Sequence, residues 1–152
     1  MNNHNISTCT IKTKIGNFLL ESDKKIILKF IPTKNKLSTS NSFSNTIQNH
    51  LNKYFLGKEK NFNFKIRPFG TSFQKKVWYE VSKIKYGKTA AYFDIAQKLN
   101  TSPRAVGNAC ANNPCLLFIP CHRIIHKNKL SGNYMMGIKV KKTLLKLEKE
   151  NY

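Results

Sequence analysis

Leu116-Leu117-Phe118-Ile119-Pro120-Cys121-His122-Arg123-Ile124-Ile125 sets a cysteine, a histidine and an arginine between two apolar runs. The residues up to Ile119 read as a buried strand. Pro120 lacks a backbone donor and ends it, so Cys121 lies where the chain leaves the core. A nucleophile there is both rigid and reachable. Free cysteine has a pKa of ~8.5 and needs a base or a positive field to react at neutral pH. His122 is adjacent, but neighbouring side chains in an extended segment point in opposite directions, so a bridging water is a better proton path than direct contact. Such a histidine needs a carboxylate to fix its tautomer. After Glu80 the only acids are Asp94, Glu148 and Glu150. Val140, Leu144 and Leu147 recur at helical spacing, and a carboxy-terminal helix of that kind can bring Glu148 to His122. An exposed terminal glutamate is the alternative.

Upstream, Gly70-Thr71 opens a helical region. Thr71 and Gln74 have capping-box spacing, and Phe73, Val77, Val81 and Ile84 share a helical face, with Trp78 read as core. Tyr86-Gly87-Lys88 turns the chain into a helix of about Tyr92 to Leu99, with Phe93, Ile95, Ala96 and Leu99 available for packing, and Asn100-Thr101 breaks it. Ser102 as N-cap and Pro103 at the first helical position begin another helix, Arg104-Ala105-Val106-Gly107-Asn108-Ala109-Cys110-Ala111. Two short helices joined by a tight turn make a helix-turn-helix. Apart from Arg104 and Asn108 the second helix carries small or apolar side chains. A major-groove reader normally carries several Arg, Asn or Gln. A thin helix with one cation suits the minor groove and sequence-independent binding, whereas plain close packing of helices is the competing reading.

The amino-terminal part reads as strands. Thr10-Ile11-Lys12-Thr13-Lys14-Ile15 alternates, Gly16-Asn17 signals a turn, and Phe18-Leu19-Leu20 and Ile26 to Ile31 follow. Pro32 to Asn41 is a polar loop, and Phe43, Ile47, Leu51, Tyr54 and Phe55 recur as a helix closed by Gly57. Lys60 to Phe69 is the connection to the helical region.

A formal charge of +20, from 27 Lys+Arg against 7 Asp+Glu in 152 residues, favours a polyanionic partner. DNA, RNA and an anionic membrane surface all satisfy it, and so does a compositional bias toward Lys, Asn and Ile. No apolar run approaches the ~20 residues of a membrane span, and the amino terminus lacks the order of a signal peptide, so a cytoplasmic location is expected. Disulfides among Cys9, Cys110, Cys115 and Cys121 are not expected there. Their spacing has no Cys-x-x-Cys pair, and His4 with Cys9 makes no metal site either.

Pro120-Cys121-His122-Arg123, with Asn113-Pro114 before it and Gly132-Asn133-Tyr134 after it, resembles the active-site region of the O6-alkylguanine-DNA alkyltransferases, the methylated-DNA-protein-cysteine methyltransferases. The likeness covers residues 68–152 strongly and 10–67 loosely. It implies an α/β (α+β) protein with two domains. Residues 1–67 form a small antiparallel-sheet domain, ribonuclease-H-like by analogy, and 68–152 a helical, winged-helix-like domain with the helix-turn-helix. It also implies DNA repair by direct reversal. The alkyl group of O6-alkylguanine, or of O4-alkylthymine, passes irreversibly to Cys121 in a single turnover, without cofactor or metal.

The roles that the resemblance implies follow the motifs. Cys121, His122 and Glu148 form a relay through water, and Asn113 holds the turn and shapes the thiolate environment. Arg104 fills the space of the flipped nucleotide on duplex DNA, and Tyr92 hydrogen-bonds the extruded base. Tyr134 is a wall of the base pocket, with Ala105, Gly107, Ile124, Met135 and Met136 also on the DNA or base side. Pro120 and Arg123 are structural neighbours. The protein is expected to be a monomer.

Three departures stand out: fewer residues between Tyr92 and Arg104, Met135-Met136 in place of small residues before Gly137, and Ala91 in place of an N-cap serine. The second puts bulky adducts in question. The alternatives are a non-catalytic alkylated-base recognition protein, which Cys121 argues against, a redox-sensing helix-turn-helix regulator and a Cys-His hydrolase.

Overall fold

The computed structural model describes residues 5–36, 39–128 and 132–152, so His4 lies outside the described residues. The chain divides into two compact units, Met1–Phe69 and Gly70–Tyr152. The expected boundary fell after Arg67.

In the first unit, β1 (Ile6–Thr13), β2 (Gly16–Asp23) and β3 (Ile26–Pro32) form an antiparallel meander. The first turn is Lys14-Ile15, two residues earlier than Gly16-Asn17, and Gly16 already pairs with Thr13. Alternation puts one face inward: Cys9 lies opposite Leu20, Ile11 opposite Phe18, and Leu20 opposite Phe30. Phe18 and Phe30 stack with ring centres 4.5 Å apart. The register shifts between Glu21 and Ser22, which leaves Leu28 as an extra residue, and Ile27 and Leu28 are both buried.

Helix α1 (Ser42–Phe55) lays Ile47, Leu51, Tyr54 and Phe55 into the core. Asn41 caps it reciprocally with Ser44. At its other end Gly57 (φ 70°) lets the Gly57 and Lys58 amides bond Tyr54 and Lys53 carbonyls, a Schellman ending. Part of the segment expected to be only a connection pairs as a strand: β4 (Lys65–Ile66) runs parallel to β3, and Arg67 bonds Asp23 at 2.8 Å.

In the second unit, α2 (Ser72–Ser82) starts at the Thr71–Gln74 capping box. Its inward face is Val77, Trp78 and Val81, whereas Phe73 is exposed. Trp78 Nε1 donates to the Ala109 carbonyl at 2.8 Å. Helices α3 (Tyr92–Lys98) and α4 (Pro103–Ala111) meet through a turn in which Asn100 has φ 50° and the Thr101 amide reaches the Ala96 carbonyl. Asp94 accepts the Ala91 amide at 3.0 Å, which satisfies one helix-end donor although residue 91 has no capping side chain. Two short strands, β5 (Ala90–Ala91) and β6 (Ile124–Ile125), pair in parallel and tie the start of α3 to the chain just beyond Cys121.

Leu116 to Ile119 is not a strand. It is a buried turn, with Leu117 at φ 70° and the Ile119 amide bonded to the Cys115 carbonyl at 2.9 Å. Asn113 is the physical reason: its Oδ1 accepts the Cys115 amide at 2.9 Å and its Nδ2 donates to the Ile119 carbonyl at 2.8 Å. One side chain thus supplies what a neighbouring strand would otherwise supply. Helix α5 (Ile138–Glu150) completes the unit, and its most buried face is Lys141, Leu144 and Glu148 rather than Val140, Leu144 and Leu147.

Asn113→Ala leaves the Cys115 amide buried without its acceptor. The expected loss is about 2–4 kcal/mol of stability, read from denaturant unfolding of the full chain.

Candidate active site

Cys121 opens a 3-10 turn, Cys121–Arg123, set by Pro120 and by the Cys121 amide on the Ile119 carbonyl at 2.8 Å. The tight turn separates consecutive side chains. Cys121 lines a cavity of about 550 Å³, while His122 and Arg123 meet Glu148. His122 Nε2 lies 2.7 Å from Glu148 Oε1, Arg123 bonds both carboxylate oxygens at 2.9 and 3.0 Å, and the Gly87 amide adds a contact at 3.2 Å. Gly87 takes φ 71°, a conformation that costs glycine nothing. Arg123 also donates to the Ile84 carbonyl at 2.7 Å.

Burial alone would raise the Glu148 carboxyl. The hydrogen bonds and charges of His122 and Arg123 outweigh it and hold the group at about 2. Glu148 is therefore ionised at neutral pH, and His122 Nε2 is the donor between them. His122 is pushed below its ordinary value, chiefly by burial, only partly offset by Glu148. It is a neutral ring whose Nδ1, buried and with no hydrogen bond among the described residues, is the basic nitrogen. Nδ1 makes no direct bond to Cys121.

Asn113, fully buried, donates to Cys121 Sγ at 3.2 Å with the same Nδ2 that bonds the Ile119 carbonyl. The neighbouring Cys110 thiol and burial push the Cys121 thiol well up, while Asn113 and the Lys141 charge pull it down. A resting thiol that ionises as it attacks fits that balance.

Around the cavity lie Tyr92, Arg104, Gly107, Tyr134 and Met135 of the expected set. Burial raises Tyr92 to about 12, so its hydroxyl stays protonated. Tyr134 is likewise raised by burial, and its hydroxyl is buried without a hydrogen-bond partner among the described residues. Its ring stands edge-on to His122 at 6.4 Å. Gly132 (φ 62°) passes so close to Tyr92 that an added Cβ would lie 2.9 Å from the ring. Three expected residues are not among those lining the cavity: Ala105 and Met136 are half-buried, and Ile124 is fully buried in β6 opposite Ala90.

Sequence reasoning missed Lys141, His126, Asn133 and Cys110. Lys141 is fully buried, with Nζ 3.3 Å from the Asn133 carbonyl and 3.5 Å from the Tyr92 hydroxyl. Burial lowers it to about 8, against the pull of Cys110 and Cys121. A signal existed: Lys141 shares the helical face of Leu144 and Glu148, at i, i+3 and i+7. His126 packs on Tyr92 at 5.2 Å between ring centres, a long-range contact without a local pattern.

A family model described as the DNA binding domain of 6-O-methylguanine DNA methyltransferase matches residues 72–150. A methylated-DNA-protein-cysteine methyltransferase of Metallosphaera sedula is 42% identical over 130 residues, which is 84% of this chain and 82% of that protein. One of Methanosarcina mazei is 40% identical over 152 residues, 93% of this chain and 96% of that protein. Among solved structures, the O6-methylguanine methyltransferase of Mycobacterium tuberculosis superposes with a TM-score of 0.86 at 30% identity, covering 97% of this chain and 94% of that one. The Mycobacterium tuberculosis protein in complex with DNA gives 0.84 at 32% identity, covering 95% and 93%.

Glu148 and His122 have a common pH signature. Both have folded-state pKa values below their ordinary 4.5 and 6.5, so the stability each contributes is present above those values and lost as pH falls through the folded ones. Stability should decline from just under pH 6.5 and more steeply below 4.5. Glu148→Gln should flatten the lower limb and cost roughly 3–5 kcal/mol at pH 7, because Arg123 loses its buried counter-charge. Denaturant unfolding of both proteins across pH reads this directly.

Proposed function

The chain belongs to the 6-O-methylguanine DNA methyltransferase family, and on that premise we propose that it repairs DNA by moving the methyl group of O6-methylguanine onto Cys121. The observation that carries this reading is a thiol on a cavity, with Asn113 on its sulfur and a His122–Glu148 pair buried behind it.

The step balances without a cofactor. The Cys121 proton passes through water to His122 Nδ1, whose positive charge Glu148 stabilises. Sulfur forms a bond to the methyl carbon as the carbon–O6 bond breaks, and its electron pair returns to the purine, which takes up a proton. The thioether has no leaving group and no proton to lose, so each molecule acts once.

Attack in line with the methyl carbon cannot occur inside a base stack, so the nucleotide must leave the helix. Arg104, near the amino end of α4 and at the cavity edge, is suited to fill the space it vacates. Tyr92 and Tyr134 are suited to bound the extruded base, the first as a hydrogen-bond donor. The small face of α4 supports approach through the minor groove without sequence preference, and the +20 charge supports binding along any duplex. No helix among the described residues is long and apolar enough to cross a membrane. We assign the protein to the cytoplasm, acting as a monomer on double-stranded DNA. Met135, at the cavity, narrows it against bulky adducts such as benzyl.

Incubation with a duplex carrying one O6-methylguanine should add one methyl, about 14 Da, to Cys121 and no more than one per molecule, with none in Cys121→Ala. Intact mass with peptide mapping measures it. An unchanged mass with tight lesion-selective binding would mean recognition without transfer.

Arg104→Ala should slow transfer from duplex about 10–100-fold, and much less from a single strand, where no pairing has to be broken. Single-turnover rates on the two substrates give the comparison, and equal slowing on both would remove Arg104 from the flipping role.

A further inference from the structure

The methyl transfer uses one sulfur, yet the cavity carries two. Cys110, in the last turn of α4, lines the same cavity as Cys121. Both are buried, at 8% and 4% exposure, with the cavity as their common face. Cys115 is fully enclosed, and Cys9 belongs to the first unit. Gly107, one turn before Cys110, also faces the cavity and keeps it open there.

We propose that Cys110 and Cys121 form a reversible oxidation site, in which a hydroperoxide entering the lesion cavity converts the acceptor thiol into an intramolecular disulfide with Cys110. The proposal rests on Cys121 being the reactive acceptor. In the first step the Cys121 sulfur, giving up its proton, attacks the terminal peroxide oxygen. The O–O bond breaks, the alcohol or water leaves with a proton, and Cys121 becomes a sulfenic acid. In the second step the Cys110 sulfur attacks that sulfur. The S–O bond breaks, and hydroxide leaves as water with the Cys110 proton. Two thiols lose two electrons, and one hydroperoxide gains them. A dithiol reductant reverses the change by exchange.

Proximity decides the outcome. A sulfenic acid without a neighbouring thiol is open to further oxidation, which is irreversible, whereas one beside Cys110 is captured first. The disulfide would hold the acceptor out of action and preserve it. A cavity filled by a base, or a Cys121 already alkylated, has no free thiol to offer, so oxidation and repair exclude each other.

The test is hydrogen peroxide treatment of the full-length protein, with free thiols blocked under denaturing, non-reducing conditions and the peptides mapped by mass. The expected result is a cross-linked pair holding Cys110 and Cys121, a chain lighter by two hydrogens, and methyl acceptance that disappears with peroxide and returns with dithiothreitol. In Cys110→Ala the same treatment should leave Cys121 carrying two or three oxygens, with acceptance that dithiothreitol does not restore. The idea is overturned if peroxide-treated wild-type protein shows Cys121 as sulfinic acid, or joined to Cys115, without the Cys110–Cys121 pair. Equal recovery of variant and wild type also overturns it. Wild-type mapping decides the matter even where the variant does not fold. Methyl acceptance of untreated protein separates failure of this proposal from failure of the transferase reading.

Discussion

A carboxylate removed from water must be met by donors, and Glu148, 1% exposed, is met by His122, Arg123 and the Gly87 amide. That single group joins α5 to the 3-10 turn of Cys121 and to the turn that leads into α3. It orients the imidazole, fixes which nitrogen carries the proton, and remains charged because donors from His122, Arg123 and Gly87 face it. Breaking the arrangement would strand the Arg123 charge and the Gly87 amide as well as loosen His122, so under the proposed reaction stability and proton transfer draw on one contact.

Asn113 plays the corresponding part at the sulfur itself. Its amide closes the Cys115–Ile119 turn and still reaches Cys121. The turn and the thiol are thus positioned by the same rigid group, which limits how far the sulfur can drift. Burial and Cys110 favour the neutral thiol, while Asn113 and Lys141 favour the thiolate. Under the proposed reaction this balance suits a sulfur that gives up its proton along the His122 path as it attacks.

Small side chains shape the cavity as much as reactive ones. Gly107 on α4 lines the cavity without a side chain, and at Gly132 an added Cβ would press on the Tyr92 ring while the positive φ adds a backbone reason. Met135 is also among the lining residues. The net charge of +20 acts at longer range, favouring a polyanion, whereas in the proposed reading the local fit lies in α4 and the cavity.

Local chemistry made much of this chain legible in one dimension. The capping pairs Thr71–Gln74 and Ser102–Pro103, the helix-ending Gly57 and the alternation of Phe18 and Leu20 are short-range patterns whose physics is complete within a few residues. The Cys121-His122-Arg123 motif likewise announced the reactive group, and the scarcity of acids pointed to Glu148. Other features depend on partners far along the chain. Leu116 to Ile119 has the composition of a strand, and became a turn because Asn113 satisfies its backbone. Lys65-Ile66 pairs with β3 although nothing local marks it as a strand. Lys141 looks like one more surface lysine until α5 turns it inward toward Tyr92 and Asn133. Cys110 gains its meaning only where the end of α4 meets the Cys121 turn. Sequence by itself determined the elements and the reactive motif, because propensity, capping and periodicity act over one or two turns. Tertiary structure alone decided which buried polar groups meet, because burial makes an unpartnered charge or amide costly and only the folded chain supplies its partners.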